Sequence, residues 1–390
     1  MKSSKRHIIL SLFYIYFFVL QEFWNYSVDA LNIHKIYWII ILALLSIFSF
    51  SILSNKYHSY KLPYWYTAVL IIGALASVEN GNSVGFCLLR ALFPIISLAN
   101  LVFITRNRIN LRLFELLLIG IYIYYYFSYF LGLQSVANKD LYDGDVFGTS
   151  SSNTIPICLN CILFLYFILN KYYSEKNQLR ILLLSIFNLV LIVIQESRAG
   201  IIVGLLITVM ILYDMYSYKK SFKKSYFIMA VIVIMFIGVW SYYTTIIDYF
   251  ANIGLESGSM DDSVRKYAQL QFVHNMDIKT FFLGYGKGQL FEDLDRTFNS
   301  YLDLWNRYGF FSFCFFVLLF IRRFLLRKSF SIPFIYFTPI MVYALVETLF
   351  AGTMWDMFFI YMLFLSGPDT PSFLYRTSPS VSKGLIQTSK

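Results

Sequence analysis

Charge is scarce in this 390-residue sequence, in which only 14% of the residues are charged and 58% are hydrophobic. A soluble domain typically has about 25% charged and 45–50% apolar residues. Apolar stretches long enough to span hydrocarbon recur along the whole chain. Their backbones must be helical, because lipid offers no partner for an exposed peptide group. The sequence therefore predicts an all-α polytopic membrane protein.

Cysteine and histidine are also few, with four residues of each type. Cys158 and Cys161 form a CxxC inside an apolar segment, but there is no second pair and no histidine cluster beside them. We interpret both as small residues that let helices pack closely. The sequence has no Walker loop, and its histidines are scattered without the spacing of a zinc site, so it predicts neither a metal site nor a cofactor.

The net charge of +10 is distributed as a topology signal and not as a nucleic-acid-binding face, so no nucleic-acid partner is expected. With the N-terminus in the cytoplasm, most lysines and arginines fall in cytoplasmic loops and in the tail over 367–390. The opposite loops, such as 79–81 and 139–145, are sparse in cations or acidic. The positive-inside rule therefore predicts a multi-pass protein with both termini cytoplasmic.

Hydropathy predicts a single membrane domain over 1–390 with about twelve transmembrane helices. One large loop, over 245–300, faces outward in this topology and is too long for a simple connection. In it, Asp261-Asp262-Ser263 predicts the start of a helix over 264–276, and a glycine-rich turn follows over 281–288. The predicted spans are 8–24, 36–53, 63–78, 84–104, 112–133, 153–170, 179–196, 199–217, 226–244, 301–320, 333–350 and 354–366.

Several ionisable residues lie toward the outer ends of these spans, where a charge is costly unless it is used. Their shared position predicts a polar cavity that opens outward. The alternative interpretation is that each forms a structural salt bridge or lies at the membrane interface. An arginine fork suits a phosphate or diphosphate, so Arg198 and loop residue Arg265 are the strongest candidates for binding one. The outer-end residues are Glu22, Arg90, Glu196, Arg198, Arg307, Glu347 and Asp356.

Three stretches resemble the O-antigen polymerase and ligase superfamily, and most of all its Wzy-type polysaccharide polymerases. The first is Ser197-Arg198-Ala199-Gly200, which opens a span after a short outer loop. The second, the loop motif, combines 263–267, which contains Arg265 and Lys266, with the glycine turn over 283–288. The third combines 298–302 with 307–310 and departs from the family in having Phe298 where a histidine is frequent before Asn299.

The resemblance implies a metal-independent glycosyltransferase in the bacterial plasma (inner) membrane that serves O-antigen, lipopolysaccharide or capsule biosynthesis. Its donor and acceptor would both be undecaprenyl-diphosphate-linked oligosaccharides, in contact with membrane lipid, and a chain-length regulator protein would be a further partner. Arg198 and Arg265 would stabilise the diphosphate. The candidates for general base are Glu196, Asp303, Glu347 and Asp356, of which Glu347 is our choice. Residues expected to bind substrate are Arg90, Glu196, Lys266, Asn299, Asp303 and Arg307.

Two other functions stay open from the sequence. An O-antigen ligase would transfer finished glycan to a different acceptor, and Phe298 in place of the family histidine counts against it. A transporter of lipid-linked oligosaccharide often has internal repeats and a binding site at the membrane midplane. This sequence shows no repeat, and its ionisable residues gather toward one leaflet.

Overall fold

The computed structural model describes residues 2–15, 19, 61–130, 154–173, 177–194, 197–218, 269–285, 297, 299–325, 332–346 and 354–365. These residues are 90% helical and contain no strand. Short 3₁₀ turns lie at Ser77–Asn80, Phe334–Phe337 and Met354–Asp356. The α-helices are α1 (Lys2–Tyr14), α2 (Lys61–Ala76), α3 (Val84–Arg106), α4 (Leu111–Phe130), α5 (Thr154–Tyr172), α6 (Gln178–Ile194), α7 (Arg198–Tyr218), α8 (Ile278–Leu283), α9 (Ser300–Leu325), α10 (Thr338–Val346) and α11 (Met357–Phe364).

The described residues confirm the all-helical prediction, and four stretches of them are long and apolar enough to cross a membrane. They are Leu62–Asn80, Val84–Thr105, Ile155–Tyr172 and Ser300–Leu325. Three shorter apolar helices accompany them, at Gln178–Ile194, Ala199–Met215 and Phe334–Leu345. The predicted spans over 36–53 and 226–244, most of the predicted outer loop and the tail over 367–390 lie outside the described residues.

Helix α5 forms the centre of the bundle. Every side chain from Cys158 to Asn170 is buried, and a helix that is apolar all round must be enclosed by other helices. Phe164 contacts α11 through Phe358, with ring centroids 5.2 Å apart and the rings nearly perpendicular. All of α11 is buried as well. The predicted packing residues Cys158 and Cys161 lie in this core as buried thiols.

One end of the bundle, here called the lower end, is where α3, α5 and α7 finish. The Tyr173 hydroxyl, directly after α5, donates to backbone oxygens of Ile104 and Asn107 at the end of α3, over 3.1 and 3.0 Å. Lys171 of α5 pairs with Asp214 of α7 at 2.5 Å. These polar contacts join the ends of α3, α5 and α7, as expected where helices leave hydrocarbon.

The opposite end, here called the upper end, is where α2 finishes and α3, α5, α7 and α9 begin. Asn299, just before α9, donates from its amide to the Leu345 oxygen near the end of α10 over 3.2 Å. Gly200 of α7 lies against α5, because a Cβ at Gly200 would approach the Pro156 Cβ to 2.8 Å. The candidate residues that the structure describes all belong to this end.

Candidate functional site

The structure describes the side chains of four predicted site residues and the backbone of a fifth. Arg90 lies in α3, Asn299 directly precedes α9, and Asp303 and Arg307 lie in the first turns of α9. Arg198 is the first residue of α7, and its backbone is described. The predictions for Arg265, Lys266, Glu196 and Glu347 fall on residues outside the described part of the chain.

Asn299 and Asp303 build the start of α9. The Asn299 side-chain oxygen accepts from the backbone N–H groups of Tyr301 and Leu302, over 3.0 and 3.3 Å, which makes Asn299 the N-cap. The fully buried Asp303 carboxylate accepts from both the backbone N–H and the hydroxyl of Thr297, over 2.8 and 3.0 Å. Both predicted substrate-binding residues therefore hold the turn that precedes the helix.

Asp303→Ala is expected to lower the free energy of unfolding by about 2–4 kcal/mol, because two hydrogen bonds to a buried carboxylate are lost. Asp303→Asn keeps an acceptor oxygen for Thr297, so about half of that loss is expected. Thermal unfolding of the purified variants, followed by tryptophan fluorescence, measures the difference. Wild-type stability in Asp303→Ala would contradict this structural role for the residue.

Helix α9 is broken at Gly309, which has φ 80° and ψ 168° in the middle of the helix. Only glycine adopts this backbone conformation readily. Gly284, after α8, has nearly the same conformation, with φ 79° and ψ −179°. The break and the turn lie against each other, because a Cβ at Gly309 would come 2.6 Å from the Phe282 oxygen. The sequence predicts both glycines as motif residues, and the structure brings them into one contact.

We call residues 269–285 the docked segment, because they pack on the broken part of α9. The Tyr285 N–H donates to the Asn306 side-chain oxygen over 2.8 Å, and the Trp305 indole donates to the Phe281 oxygen over 2.7 Å. The Phe272 ring contacts Trp305 edge to face, with centroids 5.6 Å apart. The predicted loop motif and the predicted α9 motif are therefore one packed unit.

The docked segment is anchored a second time on the turn Ser77–Asn80 at the end of α2. The Asn80 amide donates to the Gly284 backbone oxygen, and the Lys279 ammonium donates to the Glu79 backbone oxygen. Two polar anchors in addition to the aromatic contacts fix this segment over the upper ends of α2 and α9. The acidic turn that the positive-inside rule assigns to the outer face is thus in contact with the predicted outer loop.

Two titratable groups of the docked segment are shaped by its local structure. Hydrogen bonds from the Thr280 hydroxyl and backbone N–H hold the pKa of Asp277 below its usual value, and they form a capping box at the start of α8. Because this pKa is lowered, the ionised Asp277 carboxylate stabilises the folded protein at pH values above the usual carboxyl pKa. This stabilisation is lost as the pH falls through the lowered pKa. Burial raises the pKa of Tyr285, whose hydroxyl donates to the Phe272 oxygen over 2.8 Å.

A cluster of charged groups lies beneath the docked segment. Arg90 is only 4% exposed, and its guanidinium carbon lies 4.0 Å from the centre of the Phe86 ring. The Tyr308 hydroxyl is within hydrogen-bonding distance of the Arg90 backbone oxygen, 3.2 Å, and of the Asp356 carboxylate, 3.4 Å. Arg307 neighbours Tyr308 in α9. Arg90, Arg307 and Asp356 were predicted from the sequence as outer-end charges. Tyr308, which contacts Arg90 and Asp356 and follows Arg307, was not predicted.

The start of α7 is held by its own motif. The Ser197 hydroxyl accepts from the Gly200 N–H over 3.2 Å, as a helix-capping serine does. At position 200, the Cβ of any residue larger than glycine would overlap Pro156 and Ile192. Ser197 and Gly200 therefore fix the backbone at Arg198, the arginine of the same motif.

A chain of buried amides also holds this helix start. The Asn160 amide donates to the Gly200 oxygen over 2.9 Å, and the Asn188 amide donates to the Asn160 side-chain oxygen over 2.9 Å. The Tyr122 hydroxyl completes the chain by donating to Asn188 over 3.3 Å. Sequence reasoning missed these residues, although asparagines within spans at 153–170 and 179–196 are the signal, because a polar group there needs a partner.

Arg90 and Arg307 are the arginines whose side chains the structure describes at the upper end. Within the described ranges, no three histidine, cysteine, aspartate or glutamate side chains stand close enough together to hold a metal ion. Guanidinium groups at the same end, by contrast, offer planar forks that match phosphate oxygens. The chain matches no protein-family model, no curated protein and no solved structure.

Proposed function

We propose that this chain is a polysaccharide polymerase that joins undecaprenyl-diphosphate-linked oligosaccharide repeat units on the outer face of the bacterial plasma membrane. The proposal includes about twelve spans, a large outer loop over 245–300 and both termini in the cytoplasm. The upper end of the bundle is then the outer end, and the product serves O-antigen or capsule biosynthesis. The enzyme is a metal-independent glycosyltransferase.

The contact between the docked segment and the break in α9 carries the proposal. Two short motifs 25 residues apart, around Gly284 and around Gly309, share a rare backbone conformation and pack on each other, as expected if they are used together. They meet directly above Arg307 and Tyr308, in the region where Arg90 and Asp356 are buried. Charged groups gathered at one end of a membrane bundle suit a substrate with an anionic head and a lipid tail.

Charge development in the reaction explains the arginines. The bond between the anomeric carbon of the growing glycan and its diphosphate breaks, and the diphosphate oxygen leaves with the electron pair. A hydroxyl of the incoming lipid-linked unit forms the new bond to that carbon, and its proton passes to a general base. Arg198 and Arg265 are the proposed partners of the leaving diphosphate, because fixed cations stabilise developing negative charge. Arg90, Arg307 and Lys266 would support substrate binding.

The general base is proposed among the acids of the outer end. Glu347 is the first candidate, and Asp356 is the second. Asp303 is less suited, since its carboxylate is fully buried and accepts two hydrogen bonds from Thr297 that close the α9 turn. Asp356 is 8% exposed and lies beside the Tyr308 hydroxyl. It borders the charged cluster and, unlike Asp303, does not hold the start of α9. Glu196, Asn299 and Asp303 complete the proposed surroundings of the substrate.

Cells that lack this chain are expected to accumulate single repeat units on the lipid carrier, because flipped units would no longer be joined. Mass spectrometry of extracted lipid-linked oligosaccharides measures this, with the inner and outer leaflet pools separated by a membrane-impermeant label. Long lipid-linked chains in the deletion would instead indicate a ligase. Single units trapped in the inner leaflet would indicate a transporter, and either result would overturn the proposal.

A further inference from the structure

An apolar groove of about 370 Å³ runs between α4 and α6 on the outside of the bundle, away from the proposed active site. Its walls are aliphatic and aromatic, and its only charged lining groups are Glu115 and Arg180 at the lower end. The residues that define its course are Glu115, Ile119, Tyr126, Arg180, Leu183 and Phe187.

The groove has a closed upper end and a defined length. The Tyr126 hydroxyl donates to the Phe187 oxygen over 3.1 Å, and the two rings meet edge to face with centroids 6.4 Å apart. From Glu115 to Tyr126 helix α4 rises about 16 Å. One leaflet of a bilayer has a hydrocarbon depth of about 15 Å. On α6 the lining from Arg180 to Phe187 rises about 10 Å. The groove therefore fits within one leaflet, with its charged pair at the end where the lipid headgroups would lie.

The charged end of the groove has capacity for an anion. Arg180 contacts Glu115 at 3.5 Å through one nitrogen, and its side chain remains 56% exposed. Glu115 also accepts a hydrogen bond from the Tyr166 hydroxyl over 3.3 Å, so Arg180 is not the only group that stabilises its carboxylate. Arg112 is exposed one turn before Glu115 on the same face of α4. Two arginines and one glutamate leave a local positive charge beside an apolar slot.

We propose that this groove binds an anionic glycerophospholipid, with one acyl chain between α4 and α6 and the phosphate on the Arg180 guanidinium. A diacyl phospholipid fits because the slot is apolar along one leaflet depth and basic only where the phosphate would lie. The inference concerns the lower end, and it stands independently of the proposed polymerase activity. The bound lipid would wedge the two helices apart at a fixed distance.

Native mass spectrometry of the purified full-length protein, titrated with phosphatidylglycerol and with phosphatidylcholine of the same acyl chains, tests the proposal. The wild type is expected to bind phosphatidylglycerol about 10-fold more tightly than phosphatidylcholine, because the arginine fork forms charge-assisted hydrogen bonds to an accessible phosphate. Arg180→Gln is expected to remove that preference. Arg322→Gln, at the same end on α9, is expected to retain it.

A second pair of variants tests the apolar part. Ile123 also lines the groove, so Ile123→Trp should fill it and weaken binding of both lipids. Ile186→Trp, on the exposed face of α6 outside the groove, should not. Equal binding of the two lipids by the wild type, or an unchanged preference in Arg180→Gln, would overturn the proposal. So would displacement of phosphatidylglycerol by an equal concentration of decaprenyl phosphate, or a change in oligomeric state in Ile123→Trp, which would assign the groove to an isoprenoid or to a second copy.

Discussion

Gly284→Ala is expected to detach the docked segment from α9 and to abolish long polymer in cells. A Cβ at position 284 would lie 1.8 Å from the Asn306 backbone oxygen, where no atom can fit. The backbone at φ 79° and ψ −179° is also restricted to glycine. Strain and overlap together should cost roughly 3 kcal/mol or more, enough to offset two or more of the hydrogen bonds that hold the docked segment. Limited proteolysis of the purified protein measures the detachment as faster cleavage near α8.

Two other glycines provide matched controls for this substitution. Gly81 also has a positive φ of 83°, but a Cβ there meets nothing within 4 Å, so Gly81→Ala should cost about 1–2 kcal/mol of backbone strain and leave polymer length intact. Gly120 in α4 has equally open surroundings and helical geometry. Gly120→Ala should not destabilise the protein. Equal loss of polymer in all three variants would show that the contact with Asn306 is irrelevant.

Arg198→Ala and Arg265→Ala are each expected to reduce polymerisation by about 100-fold or more, because each removes a cation that we propose stabilises the leaving diphosphate. Arg198→Lys should be nearly as harmful, since an ammonium cannot reproduce the two parallel hydrogen bonds of the guanidinium fork. Gel separation of the surface polysaccharide measures the loss as the disappearance of long chains.

Arg322→Ala is the matched control for the two arginines. Arg322 lies in the last turn of α9, at the opposite end of the bundle from the start of α7. Its removal takes away the same charge without touching the upper end, so a normal ladder is expected. Intact long chains in Arg198→Ala or in Arg265→Ala would contradict the diphosphate assignment for that residue.

Much of the helical architecture follows from local sequence. The predicted segment 179–196 and helix α6, Gln178–Ile194, overlap almost completely, because polar residues bound one apolar run. The break in α9 could not be predicted in this way. The run over 301–320 has the hydropathy of one continuous span, whereas the non-helical backbone at Gly309 lies against the Phe282 oxygen of another segment.

The candidate site, too, could be predicted from the sequence only in part. Charge cost in an apolar surrounding identifies Arg90, Arg307 and Asp356 from sequence alone. It says nothing about which polar neighbours meet them, so Tyr308 emerges only from the packing of α9 against α3 and the turn Met354–Asp356. Likewise Asp303 has the charge of a catalytic acid, but its contacts with Thr297 give it a capping role.

Reconstitution provides the most direct test of the central claim. The purified chain in liposomes would receive a lipid-diphosphate-linked repeat unit as the sole substrate, and products would be separated by length and weighed by mass spectrometry. The account predicts a ladder at whole multiples of the repeat unit, with one lipid diphosphate released for each bond formed and with no ladder from Arg198→Ala. Movement of the substrate between leaflets without any new glycosidic bond would contradict it.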